Sequence, residues 1–314
     1  MTAEPLGIHH VTAIATDPQA NLDFYTRVLG LRLVKKTVNF DDPTTYHLYF
    51  GDEKGRPGTI LTFFPWPQAR RGIRGTGQAT VTSFIVPAGS LGFWADRLGQ
   101  EGVAAEQSGR RFEEEVLTLL DPDGLKLELV AHEQAAALPF WGGGPIPQES
   151  ASRGFHGTTL TLEGYEATAA LLSGPLGLRP AGEEGNRFRF AAASGGPGRF
   201  VDLLCTPDAR PGRVAAGTVH HVAFRARDEV EQGTVRKALV SAGMNVTPVL
   251  DRNYFRSIYF REPGGVLFEV ATDPPGFTVD ETVDQLGTSL KLPGWLEPHR
   301  HGIEAVLPEL DLAQ

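Results

Sequence analysis

The chain of 314 residues sets 38 acidic against 29 basic side chains, for a net charge of −9, and 41% of it is hydrophobic. That balance argues against a nucleic-acid partner, and no apolar run approaches the ~18 residues that a membrane helix needs. Its one cysteine, Cys205, allows no internal disulfide and reads as a small buried apolar residue; with no signal-peptide pattern in MTAEPLG, a cytoplasmic protein is expected.

In chain order, the first element is GIHHVTAIAT (7–16), which reads as a strand. Asp17 suits a helix N-cap and Pro18 the first turn; Leu22, Tyr25, Val28 and Leu29 recur at helical spacing, and Gly30 stops the helix. TTYHLYFG (44–51) and PGTILTFFP (57–65) follow as hairpin strands. The plan then returns three times. Its openings are GQATVTSFIV (77–86), GFHGTTLTL (154–162) and GTVHHVAFRA (217–226), and its closings are DGLKLELVA (123–131), GRFVDLLC (198–205) and GGVLFEVAT (264–272).

The expected fold class is therefore α+β, with four βαβββ modules. A lone module leaves a curved sheet half exposed, so the modules should pair into two mixed-sheet cups. The Ala-, Gly- and Pro-rich stretch 131–154 separates an N-terminal domain, 1–135 (modules 1 and 2), from a C-terminal one, 152–275 (modules 3 and 4). A tail, 276–314, should wrap the surface with one short helix. RRGIR at 70–74 and the triplet Glu113 to Glu115 read as solvated surface.

If the modules share one fold, equivalent positions can be compared within the chain. At the second-histidine position of the opening strand they carry His10, Thr80, Gly157 and His221; at the matching place in the closing strand, Thr62, Glu128, Asp202 and Glu269. Modules 1 and 4 thus offer His10, His221 and Glu269. Two imidazoles and one carboxylate suit an Fe(II) or Mn(II) centre with positions left open, and a carboxylate inside GGVLFEVA is costly to bury unless it binds something. Strand alternation puts His10 and Thr12 on one face and turns His9 away, unless a bulge intervenes. Tyr259 shares the face of Glu269 if the hairpin loop between them is odd in length. Glu128, in the same setting without histidines, reads as half of a salt bridge, and His47 suits either a pocket wall or a plain hairpin.

HHVT (9–12), YHLYFGDEKGRPGT (46–59), RGFHG (153–157), EEGNRFRF (183–190), VHHVAF (219–224), NYFRSIYFREPGGVLFEVATD (253–273) and the tail phrase LPGWLEPHR span nearly the whole chain. Together they resemble the vicinal oxygen chelate superfamily, and within it the ring-cleaving dioxygenases of hydroquinones. The resemblance implies that module 1 pairs with module 4 and module 2 with module 3, and that His10, His221 and Glu269 hold iron. It also implies that His9, Thr12, His220, Arg252 and Tyr259 face substrate or support the ligands. The implied activity is Fe(II)-dependent, extradiol-type cleavage of a hydroquinone or related dihydroxylated aromatic by O2, with Mn(II) as the alternative metal and a homo-oligomer allowed. Tyr259 or a neighbouring histidine would serve as the acid, and Arg252 would steady an anionic substrate.

Two other classes compete. A glyoxalase-like isomerase or lyase favours four protein ligands, against which Thr62 speaks. A non-catalytic protein that sequesters an aromatic compound needs no metal triad.

Overall fold

The β-like openings and closings become the central strands of two eight-stranded sheets in the computed structural model, which describes residues 7–192 and 198–312. The first six residues of the expected N-terminal domain and the last two of the tail lie outside the described residues.

Module 1 runs β1 (Ile8–Ala15), α1 (Pro18–Asp23), β2 (Arg32–Asn39), β3 (Asp42–Gly51) and β4 (Ile60–Pro65). Module 2 runs β5 (Gln78–Pro87), α2 (Leu91–Gln100), β6 (Ala105–Arg111), β7 (Glu114–Leu120) and β8 (Lys126–His132). Module 3 runs β9 (Phe155–Leu162), α3 (Glu166–Ser173), β10 (Arg179–Glu184), β11 (Arg187–Ala191) and β12 (Phe200–Cys205). Module 4 runs β13 (Thr218–Ala226), α4 (Glu229–Ser241), β14 (Leu250–Asp251), β15 (Phe255–Arg261) and β16 (Leu267–Pro275). The sheet orders are β14-β15-β16-β13-β1-β4-β3-β2 and β10-β11-β12-β9-β5-β8-β7-β6. Module 1 therefore pairs with module 4 and module 2 with module 3, so each cup draws one module from each half of the chain.

Within a module the opening strand lies parallel to the closing strand, and between modules the two opening strands meet antiparallel. Alternation then divides the faces. Leu61 and Phe63 of β4 go to the core with Leu22 and Tyr25, while Thr62 between them faces the cup. Each large apolar side chain buried this way contributes about 1.5–3 kcal/mol.

Asp17 caps α1 as expected, accepting from the amides of Gln19 at 2.8 Å and Ala20 at 3.0 Å. The helix does not continue regularly to Leu29. Phe24–Val28 forms a wider π turn, closed by the Leu29 amide on the Phe24 carbonyl at 3.0 Å, and buries Phe24, Tyr25, Thr26 and Val28, more neighbours than one face of a regular helix could turn inward. Gly30 ends it at φ +69°, where a Cβ would strike Ile146. Cys205 is half-buried rather than buried, its Sγ 3.4 Å from the Glu163 carbonyl. No described helix is long and apolar enough to cross a membrane.

The tail wraps module 1 by a series of single 3-10 turns before one short helix, α5 (Arg300–Glu304). Its anchor is unusual. Lys35 on β2 is wholly buried, and its Nζ lies 2.5 Å from both Asp280 and Glu281, above the ring of Tyr254. Beside this clamp Phe277 packs between Tyr49 and Tyr254, at ring separations of 5.0 and 5.1 Å. Removing half of the counter-charge from a buried ammonium is costly, so Glu281→Gln should lower the free energy of unfolding by about 2–3 kcal/mol. A urea titration of the purified protein checks this.

Candidate metal centre

Simple alternation would separate His9 from His10, but both seam strands carry a bulge. Between β1 and β13, Ile8 faces Phe224 and His10 faces Ala223, so His9 is the extra residue; Thr12 faces His221 and Ala13 faces Val219, so His220 is extra on the other strand. Each extra imidazole reaches its neighbour. His9 Nδ1 lies 2.9 Å from His10 Nδ1, and His220 Nδ1 lies 2.8 Å from His221 Nδ1.

The same seam brings together two histidines that are 211 residues apart, with their Nε2 atoms 3.3 Å from each other. Glu269, on β16 beside β13, completes the group: its Oε2 lies 2.9 Å from His221 Nε2 and 3.3 Å from His10 Nε2. All three residues are buried. Ser257 donates to Glu269 Oε1, whereas Oε2 has no hydrogen-bond donor aimed at it despite the two close nitrogens. The three atoms thus face a shared point rather than one another, which is the arrangement of cation donors. Burial holds His221 below the usual imidazole range and His220 down to about 3, so both are neutral at pH 7 and keep a lone pair to offer. Burial alone would raise the Glu269 carboxyl; positive charge at the corner that His10 and His221 form is what lowers it and keeps the side chain anionic.

A cavity of about 450 Å³ opens over these donors. Tyr259 stands directly opposite Glu269 across β15 and β16, since the five-residue loop 262–266 is odd. Its hydroxyl accepts from Arg252 Nε at 3.2 Å, and Arg252 also pairs with Asp41 at 3.0 Å. Burial, then the Glu269 charge, raises the Tyr259 phenol far above its ordinary value. His220 lines the cavity, His9 packs on Phe255 beneath it, and Thr12 lies under the floor, 3.1 Å from Thr62. All eight residues singled out in the sequence therefore gather at one place.

Sequence reasoning left His47 undecided and overlooked Tyr49, Ser257 and Phe255. His47 lines the cavity, with Nε2 2.6 Å from Thr62 Oγ1 and Nδ1 2.8 Å from the Tyr49 hydroxyl. A signal existed: Leu48-Tyr49-Phe50 and Ile258-Tyr259-Phe260 share an aliphatic-Tyr-Phe pattern in modules 1 and 4.

The model of the Glyoxalase/Bleomycin resistance protein/Dioxygenase superfamily matches residues 7–129 and again 154–270. The chain belongs to this superfamily. It is 51% identical over 304 residues, 97% of this chain and 96% of the relative, to the "Putative ring-cleaving dioxygenase MhqO" of Bacillus subtilis (strain 168). It is 38% identical over 299 residues, 93% and 92% of the two chains, to the chlorohydroquinone/hydroquinone 1,2-dioxygenase of Sphingobium indicum. A crystal structure of a "putative dioxygenase" from Bacillus subtilis superposes with a TM-score of 0.95 at 49% identity, covering 99% of each chain. Relatives of this length and name make this superfamily member an enzyme, an oxygenase of the ring-cleaving dioxygenase group.

The superfamily fold gives the chain two cups, and only one gathers metal donors among the described residues. In the second cup the strand register corrects the sequence comparison. The bulged residue of β5 is Thr80, so the counterpart of His221 is Val81; counting from the first glycine missed the extra residue that precedes the bulge. Gly157 does match His10, and a Cβ there would meet the Phe200 carbonyl oxygen at 2.4 Å. Glu128 and Asp202 remain at the carboxylate positions but face guanidinium groups. Arg111 grips Glu128 at 2.6 and 3.0 Å, Arg189 grips Asp202 at 2.8 and 3.1 Å, and Arg187 adds a contact to Asp202 at 3.1 Å. Glu114 is not solvated surface as expected: it turns inward to His156 at 2.8 Å and Arg189 at 2.7 Å, because these buried cations need a third carboxylate.

Burial would raise the Glu114 carboxyl, but His156 and Arg189 bring it from an ordinary 4.5 down to about 2. A depressed carboxyl stabilises the fold above its unfolded value and loses that contribution as pH falls through its folded one. The gap in urea midpoint between the wild-type protein and Glu114→Gln should therefore be largest above about pH 5 and close by about pH 2.

Proposed function

We propose that this cavity is the active site of an Fe(II)-dependent, extradiol-type dioxygenase that opens the ring of a hydroquinone or a related dihydroxylated aromatic. One observation carries the reading: a wholly buried carboxylate keeps Oε2 free of hydrogen-bond donors while two imidazole Nε2 atoms lie within 3.3 Å of it. The hydroquinone named for the Sphingobium indicum relative supports the substrate class.

His10 and His221 would hold the ion through Nε2 and Glu269 through Oε2, a donor set that suits Fe(II) and also accepts Mn(II). Bound there, Fe(II) supplies a Lewis acid for the phenol oxygen and one-electron exchange with dioxygen. The chain supplies the rest. For Nε2 to present a lone pair, Nδ1 of His10 and of His221 keeps its proton and donates to Nδ1 of His9 and of His220, which fixes both ligand rings. Ser257, donating to Oε1, fixes the carboxylate in the same way. Phe255 and Phe64 give the cavity apolar walls for the substrate ring, and Arg252 attracts the phenolate. Tyr259 accepts from Arg252 and retains its own proton, so it can donate to oxygen as negative charge develops there.

Protein loaded with Fe(II) under nitrogen should consume oxygen with hydroquinone, methylhydroquinone or a chlorohydroquinone, with catechol as the contrast. Glu269→Gln should weaken metal binding by about 100-fold or more and abolish uptake; full activity in that variant would sink the assignment. Tyr259→Phe should retain the metal and lose about 10²–10³ in kcat, read with an oxygen electrode.

A further inference from the structure

Modules 1 and 4 build the two sides of the metal cup on one plan, and they differ at one corner. In module 4, Glu269 lies opposite Tyr259 across a hairpin, and Ser257, two residues before the tyrosine, donates to Glu269. In module 1, Thr62 lies opposite Tyr49 across the equivalent hairpin, and His47, two residues before that tyrosine, is bonded to Thr62. The parallel register agrees, because Thr62 pairs with Thr12 where Glu269 pairs with Ala223, each two residues beyond a seam histidine. Thus the internal two-fold that relates His10 to His221 relates Thr62 to Glu269 and His47 to Ser257. Where module 4 has a long acid on the inner strand module 1 has a short hydroxyl, and where module 4 has a small hydroxyl on the outer strand module 1 has an imidazole.

The hydrogen bonds fix how that imidazole is presented. Two tautomers fit the contacts, and in each of them one ring nitrogen donates and the other accepts: Nδ1 lies 2.8 Å from the Tyr49 hydroxyl and Nε2 lies 2.6 Å from Thr62 Oγ1. Both nitrogens are then engaged. The ring is held between Tyr49 and Phe64, with centroids 4.0 and 4.3 Å away, and lines the cavity without a free lone pair.

We propose that His47, locked by Tyr49 and Thr62, is a specificity-determining residue that fills the fourth protein-ligand corner with a ring that cannot coordinate. Resting on the metal reading above, this explains how the centre keeps three protein donors without leaving a water-filled hole where the fourth would stand. The vacant coordination positions then belong to substrate and dioxygen oxygens, and a fourth carboxylate would close one of them and hold the ion more tightly.

The test rebuilds the missing corner. His47→Ser/Thr62→Glu copies module 4 into module 1, and Thr62→Asp, nearly the size of threonine, places a shorter carboxylate under His47. Metal-free protein is titrated with Mn(II) against a chromophoric chelator, and bound water is followed by water-proton relaxation. Expected are about tenfold or tighter Mn(II) binding, fewer exchangeable waters on the ion, and a loss of most oxygen uptake in the Fe(II) form. His47→Phe keeps the ring and should leave Mn(II) affinity within about twofold.

Unchanged affinity and unchanged water count in whichever of the carboxylate variants folds, judged by circular dichroism, would overturn the proposal. So would a tenfold loss of affinity in His47→Phe, which would make His47 a ligand. If the wild-type protein binds no divalent ion, or binds it without need of Glu269, the reading of the site itself fails. Binding that depends on Glu269 with no gain in these variants removes only the role given to His47.

Discussion

The antiparallel seam between β1 and β13 is the constraint on which the centre depends. It joins the first module to the last, and its register sets His221 against Thr12 and His10 against Ala223. Without it the two imidazoles are 211 residues apart along the chain. Such a non-local contact is entropically expensive and slow to form, so the rest of the architecture has to hold it. The tail does part of that work: it crosses module 1, neutralises buried Lys35 with Asp280 and Glu281, and braces Tyr49 and Tyr254 with Phe277. Order at the seam also has a local cost. With His9 accepting at Nδ1, its Nε2 proton is a buried donor that turns to the Thr272 backbone without forming a well-made hydrogen bond.

Four structurally equivalent positions show how the fold treats a carboxylate that it buries. Glu269 faces the imidazoles of His10 and His221 and a point shared by three lone-pair donors. Glu128 and Asp202, at the same place in the other cup, face guanidinium groups from Arg111, Arg187 and Arg189. Thr62 avoids the problem by carrying no charge. A buried anion needs a cation or a strong set of donors. The second cup supplies the cations from its own side chains, so nothing is left to coordinate; in the first cup no guanidinium pairs with Glu269, and under the proposed function a metal ion meets the need. The Gly157 backbone adds a steric barrier, since a side chain at the counterpart of His10 would collide with Phe200.

Repetition made much of this legible in the sequence. Glycine-led openings and closings marked the four modules, and the doubled HHV phrase with the lone acid in GGVLFEVA marked the three donors. What stayed hidden was what a period-2 reading cannot express. The bulges at His9 and His220 break alternation, and the bulge at Thr80 shifts the module 2 alignment by one residue to Val81. Glu114 looked solvated because its arginine and histidine partners come from strands far away in sequence. His47 stayed undecided because its meaning lies in Tyr49 and Thr62, one along its own strand and one across the hairpin.

The asymmetry of the metal cup divides labour between modules built on one topology. Where module 4 has its acid, module 1 has a hydroxyl beside a wall of rings, with His47, Phe64 and Trp66 in succession at centroid separations of 4.3 and 5.3 Å. Module 4 carries the acid and faces the cavity with Tyr259 and Arg252. A flat, electron-rich ring finds dispersion on one side and hydrogen-bonding charge on the other, so its orientation is settled by which edge develops negative charge. Under the proposed activity that edge is turned toward Tyr259 and Arg252, with the ring face resting on the module 1 wall. Symmetric modules would give a donor to each side and leave no such choice of orientation. A hydroxyl in place of a second acid would therefore leave the proposed centre open and give it a direction as well.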